Sequence, residues 1–172
     1  MSEDDQLNRP AGTTLGANFE SEHTNLASQI GYLVREQPYG ILCTQSQSQP
    51  YGSLVALAAT DDLTTFVFAT PITTRKYRFL SECDHVAVVI DSRSSDSNDL
   101  MQVQSVTATG RAHVVPSGLD FEHWAGLLLE RHPHLTAFVR AESTALVRIE
   151  VVRYFHVCRF QEVRQWIPSR AM

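Results

Sequence analysis

Residues 70–80 read TPITTRKYRFL, and they gather the side chains of this chain best suited to binding chemistry. Thr70, Thr73, Thr74, Arg75 and Lys76 fall where an apolar run, TTFVFA, gives way to a short helical pattern. A helix start presents free backbone N–H groups and the positive end of the helix dipole, and both attract anions. Hydroxyls add neutral hydrogen bonds, Arg75 offers a planar fork for two oxyanion oxygens, and Lys76 adds a compact charge. Such a set suits one phosphate group. Lys76 is the only lysine in the chain. The same residues also suit a plain helix start, with Thr73 as the N-cap and the cations in solvent.

The other reactive side chains form no comparable set. His132 and His134 flank Pro133 with a spacing that can ligate metal, but no carboxylate or cysteine stands beside them at ligand spacing. His113 and His123 read as surface or hydrogen-bonded core positions. Asp61-Asp62 and Asp96/Asp99 lack a third partner at calcium-loop spacing and read as turns. Cys43, Cys83 and Cys158 are odd in number and share no short spacing, which predicts buried thiols rather than a disulfide framework or a zinc site.

Length and composition set the frame for these residues. A chain of 172 residues can bury one sizeable core. Hydrophobic residues make up 43% and charged residues 19%, with a net charge of −5 and no large basic stripe. That balance argues against broad nucleic-acid binding. No apolar run approaches the roughly 20 residues that span a bilayer. The opening MSEDDQLNRPAGTT is polar and acidic, and it reads as a disordered lead-in over residues 1–18 rather than a signal peptide. A cytoplasmic location is the expectation.

The elements that position the threonine and basic cluster follow from periodicity. Phe19, His23, Leu26, Ile30 and Leu33 recur at four- and three-residue steps, which predicts a helix starting near Asn18 and ending before Pro38 and Gly40. GILCT then reads as a strand, QSQSQPYG as a polar turn, SLVALAAT as a second strand and TTFVFAT as a third, joined by short connections that fit an antiparallel meander. Residues 73–82 are helical in pattern, with Tyr77 and Leu80 inward. HVAVVID is a fourth strand, SRSSDSND a loop, and residues 100–115 a long fifth strand in which Gly110 marks a bend or a close backbone approach.

Phe121, Trp124, Leu127 and Leu128 mark an amphipathic helix that stops at HPH. The last strand, roughly Ala145 to Phe160, changes phase. Val147, Ile149 and Val151 lie on one face, and Val152, Tyr154, Cys158 and Phe160 on the other. A strand repeats every two residues, so this switch needs a bulge or an exchange of packing partners, and the second half could pack on another subunit. The expected fold is mainly β (α+β), an antiparallel six-stranded barrel-like sheet with flanking helices.

The order YGSLVALAAT–DDLTTFVFAT–PITTRKYRFLSECDHVAVVID–VTATGRAHVV resembles the pyridoxamine 5′-phosphate oxidase-related family of FMN-binding split β-barrels. The carrying features are a strand ending in FAT, the TRKYRFL segment, the VAVVID strand and the long strand with VTATGRA; the resemblance runs from about Tyr32 to Trp166. It implies a split-barrel domain over residues 19–166 with a short tail over 167–172. It also implies a homodimer that binds FMN at the subunit interface. The family's strand-end threonine and Ser/Thr-Arg-Lys segment match Thr70, Thr74, Arg75 and Lys76, as ligands of the FMN phosphate and ribityl chain. Ser53, Leu54 and Val55 match the strand whose backbone runs beside the isoalloxazine ring. Gln104 stands one residue before Ser105, which falls at the spacing of a family glutamine.

The end of the chain, QWIPSRAM, has no equivalent of the oxidase's arginine-and-proline signature, so pyridoxamine phosphate oxidase activity is not expected. Phe160 and Trp166 face either the other subunit and its flavin or ordinary packing. The implied function is a flavin-dependent oxidoreductase acting on an unassigned small molecule. The alternative is a non-catalytic protein that holds FMN or haem, since some split-barrel relatives degrade haem and His156 could serve as an axial ligand. Deazaflavin in place of FMN also stays open.

Overall fold

The computed structural model describes residues 19–93, 102–159 and 162–169, with the side chains of 19–24 excepted. Helix α1 (Phe19–Glu36) is followed by β1 (Tyr39–Ser46), β2 (Gln49–Ala56), β3 (Ala58–Ala59), β4 (Thr65–Pro71), α2 (Arg75–Glu82), β5 (His85–Asp91) and β6 (Ser105–Val114). Then come α3 (Leu119–Arg131), a 3-10 turn over Pro133–Leu135, α4 (Thr136–Val139), β7 (Thr144–Cys158) and β8 (Glu162–Trp166). Every strand pairing is antiparallel, in the order β2-β1-β5-β6-β7-β4-β3, with β8 added to β7. The sheet curls so that its edge strand β2 approaches β4, forming a half-barrel.

The mainly β architecture with flanking helices is as expected, but the sheet has eight strands among the described residues rather than six. Two causes account for the difference. The run SLVALAAT breaks at Leu57 into β2 and the two-residue β3, and residues 162–166 fold back on β7 as β8. The polar segment 45–52 is mostly strand: only Gln47 and Ser48 turn, at φ 48° and 64°. Two left-handed residues make the two-residue hairpin whose twist matches the flanking strands. Pro50 fits there because Ser46 and Gln49 close the hairpin, leaving position 50 without a ladder bond to donate.

The phase change in the last strand is both a bulge and an exchange of partners. Thr109 faces Arg153 and Gly110 faces Val151, so Val152 is the extra residue. Before it, β7 lies between β6 and β4, whose pairing ends at Glu150; after it, β7 lies between β6 and β8, whose pairing begins at Tyr154. Gly110 is required at this point. A Cβ there would come within 2.3 Å of the Glu150 carbonyl oxygen, closer than any side chain tolerates.

Two cores sit on opposite faces of β4 and β7. Leu26, Ile30, Leu33 and Val34 of α1 pack inside the curl with Leu42, Phe66, Phe68, Val88, Ile149 and Tyr154. Ala125 and Leu128 of α3 cover Val67 and Leu146 on the outer face. Leu26, Ile30 and Leu33 form the apolar face expected of α1, while the side chains of Phe19 and His23 lie outside the described residues. Arg131 fastens α3 to the end of α1: its Nη2 donates to the carbonyls of Val34, Arg35 and Gln37 at 3.0, 2.6 and 2.7 Å. His132 is buried, its Nε2 3.0 Å from the Leu57 carbonyl oxygen, and so braces the β2–β3 connection.

Candidate functional site

Strand β4 delivers Thr70 to the mouth of the curl, and α2 starts five residues later. The N-cap is Thr74, not Thr73. Its hydroxyl donates to the Pro71 carbonyl at 2.9 Å and accepts from the Tyr77 N–H at 3.3 Å. Thr70, almost wholly buried, has its hydroxyl 3.0 Å from that of Thr74. Since the Thr74 proton goes to Pro71, Thr70 donates in this contact, and the Thr74 hydroxyl is spent on the helix start. Phe79 and Leu80 are the buried residues of α2, so Phe79 takes the inward place expected of Tyr77.

The cations are left open by this arrangement. Arg75 is exposed at the first position of α2, its guanidinium carbon 5.4 Å from the centre of the Tyr51 ring. Lys76 is half-buried, and burial holds its ammonium below the usual lysine range. Among the described residues no carboxylate pairs with it. A partly desolvated cation without a counter-charge is ready for an anion.

The Arg75–Tyr51 contact sets Tyr51 of β2 beside the start of α2, and Ser53, Leu54 and Val55 follow two to four residues further along the same strand. Val55 is buried in the core and Leu54 is 68% exposed on the other face. Ser53 Oγ is buried with no hydrogen-bond partner among the described residues. Antiparallel alternation fixes where the backbone points. The bond from Leu57 N–H to the Pro38 carbonyl at 3.3 Å sets the phase, so Val55 and Ser53 bond to β1 while the N–H and C=O of Leu54 turn to the open edge. No sequence signal marks that phase beyond Pro50.

Gln104 stands elsewhere. It leads into β6 next to the far end of β7, whose residues 145 and 157 are separated by roughly 40 Å of strand. There its Oε1 lies 3.0 Å from His156 Nε2. Trp166 packs on Tyr154 of its own chain, ring centres 5.4 Å apart; Phe160, Asp96 and Asp99 lie outside the described residues. Cys43, Cys83 and Cys158 are free and half-buried rather than buried, and burial raises the Cys43 thiol above its ordinary range. Among the described residues no helix is long and apolar enough to cross a membrane.

The sequence profile of the family described as pyridoxamine 5′-phosphate oxidase matches residues 26–158. The chain belongs to that family. No match was found among curated protein sequences. In structure this family member is similar to a heme binding protein from Mycobacterium smegmatis, with a TM-score of 0.73, 16% identity, and coverage of 83% of this chain and 57% of that one. It is also similar to HutZ, a heme storage protein from Vibrio cholerae (TM-score 0.61, 14% identity, 83% and 94% covered). A FAD-binding protein from Mesorhizobium loti is a third (TM-score 0.62, 15% identity, 76% and 92% covered). The chain thus spans little more than half of the mycobacterial protein. At these identities the likeness is one of fold.

Proposed function

We propose that this protein binds FMN and acts, as a homodimer, in electron transfer to or from a small molecule. The observation that carries the reading is Lys76, a half-buried ammonium beside the start of α2 with no carboxylate partner among the described residues. The groups around it fit FMN in kind. Arg75, Lys76 and the first N–H groups of α2 would hold the phosphate. Thr70 and Thr74 would act mainly by fixing the helix start, since their hydroxyls already bond to each other. Ser53 Oγ, buried and without a partner among the described residues, and the outward backbone groups of Leu54 would receive the polar edge of the ring.

Bound FMN would supply the hydride and single-electron chemistry, with the protein binding and orienting it. Exposed Leu54 on the open β2 edge supports a second copy closing over this site. Substrate contacts would then come from the same mouth.

Haem handling draws support from the heme-related neighbours. Within this chain His156 is buried, and both ring nitrogens are engaged, by Gln104 and Arg164. Axial ligation would have to break one of those bonds, which favours the flavin reading at this residue.

The test is the visible spectrum of the purified protein after incubation with FMN and desalting, with haem and a deazaflavin offered in parallel. Retained flavin absorbance that Lys76→Ala removes is the expected result. A protein that refuses FMN, or holds it equally well without Lys76, overturns the proposal.

A further inference from the structure

The Arg75 guanidinium has a neighbour that is neither an acid nor a hydrogen-bond acceptor. Its central carbon lies 5.4 Å from the centre of the Tyr51 ring, within the range of cation–π attraction. Among the described residues no carboxylate and no hydrogen-bond acceptor engages it. The difference matters for a cation that is to hold an anion. A carboxylate would neutralise the guanidinium and occupy its N–H fork, and an incoming phosphate would have to displace it. A ring face attracts the same charge without neutralising it, so the N–H donors stay available to oxygens.

Tyr51 is itself held from two sides. It pairs with Thr44 in the β1–β2 ladder, and the buried Thr44 hydroxyl donates to the Tyr51 carbonyl at 3.3 Å. Its ring meets that of Phe79 edge to face, with centres 5.9 Å apart and planes at 73°. Phe79 is buried on α2, four residues after Arg75 and so about one turn along the same helix. The ring beside Arg75 is therefore fixed both to the sheet and to the helix that carries Arg75. A long exposed side chain gives up rotamer freedom when a ligand immobilises it, and a ring that already restrains it removes part of that cost before binding. The Tyr51 hydroxyl makes no hydrogen bond among the described residues, so the ring is what Tyr51 offers Arg75.

We propose that Tyr51 is a positioning residue for the anion site: its ring holds the Arg75 guanidinium at the start of α2, in the place from which Arg75 grips the ligand's phosphate. The inference rests on the flavin reading above and goes beyond it by assigning a role to a side chain outside the Thr70–Lys76 segment. The action runs through Arg75, so removing Arg75 removes the contribution of Tyr51 as well.

FMN titrations test it, on the parent, Tyr51→Leu, Tyr51→Phe, Arg75→Ala and the variant carrying both Tyr51→Leu and Arg75→Ala. Tyr51→Leu should weaken FMN binding roughly three- to tenfold, the ordering cost of one long side chain. Tyr51→Phe keeps the ring and should stay within about twofold of the parent. In the Arg75→Ala background Tyr51→Leu should change nothing further, whereas a ring that merely shaped the sheet edge would lower affinity in both backgrounds. Unchanged or tighter binding in Tyr51→Leu overturns the proposal, as does an equal loss with and without Arg75. A loss in Tyr51→Phe equal to that in Tyr51→Leu assigns the effect to the hydroxyl and overturns it too. A parent protein that holds no FMN overturns the flavin reading and this inference with it; a parent that holds FMN and is indifferent to Tyr51→Leu overturns this inference alone. Should Tyr51→Leu fail to fold, ring-current shifts of the Arg75 δ-methylene protons in the parent decide. Shifts kept in the FMN complex support the geometry, and shifts lost on binding overturn it.

Discussion

The Tyr154 phenol donates to the Leu63 carbonyl at 2.6 Å, a buried bond between β7 and the turn that precedes β4. Leu63 is buried in a left-handed conformation, φ 59°, that a leucine adopts only under constraint. Its N–H bonds the Thr60 carbonyl at 2.9 Å, so both of its backbone groups are held. Asp62 completes the turn by accepting from the Thr60 hydroxyl, the Thr64 N–H and the Thr64 hydroxyl at 2.6, 3.0 and 2.8 Å. Tyr154 reaches Leu63 only because the bulge at Val152 turns its side chain inward. The same bulge turns His156 to the buried face.

Tyr154→Phe deletes that hydroxyl and leaves the Leu63 carbonyl buried without its donor. The expected loss is about 1–3 kcal/mol, the cost of stranding a buried polar group. Urea denaturation would read it as a lower midpoint at unchanged slope. A loss below about half a kcal/mol would mean that water or another donor replaces the phenol.

Thr74→Ala separates the helix cap from the ligand site. Its hydroxyl holds Pro71, Tyr77 and Thr70, so stability should fall by about 1 kcal/mol, as for other lost N-caps. Lys76→Ala should leave stability within about half a kcal/mol, as for ordinary surface changes. Its effect belongs to the ligand: removing one charge-assisted contact should weaken FMN by roughly 1.5–3 kcal/mol, at least about tenfold in Kd. Equilibrium denaturation and FMN titration on both variants would check the crossed pattern.

His156 gives the fold a defined acid sensitivity. Burial lowers its pKa first and the Arg164 guanidinium second, against a smaller upward pull from Glu162; Cys158 Sγ also lies 3.8 Å from Arg164. The folded state therefore declines a proton that the unfolded chain takes up near pH 6.5. Stability should be complete above that pH and fall as pH drops below it, toward the depressed folded value. Measured from pH 8 to 5, the decline should be shallower in His156→Gln than in the parent. Parallel curves would remove His156 as the cause.

The sequence by itself determined the antiparallel, mainly β character, the inward face of α1 and the cluster of hydroxyls and cations at the start of α2, because these depend on periodicity and residue type. It also carried the break in β7, since the alternation Val147, Ile149, Val151 cannot continue to Tyr154 without an extra residue. Only tertiary structure decided which residue was extra, because the answer lies in where Gly110 meets Glu150 across the ladder. The Gln47–Ser48 hairpin stayed hidden because neither residue carries the usual left-handed signal of Asn or Gly. Thr74 rather than Thr73 caps α2 for a similar reason: two adjacent threonines offer the same chemistry, and only Thr74 meets Thr70, Pro71 and Tyr77 in the folded chain.

Distance along the chain hid the rest. Arg75 finds Tyr51 and Arg164 finds Gln29 through the curl of the sheet, and the second of those pairs is 135 residues apart. No local pattern encodes such a meeting, because it is set by which strand lies beside which. Residue types fixed what each group could bind; the curled sheet fixed which groups bind together.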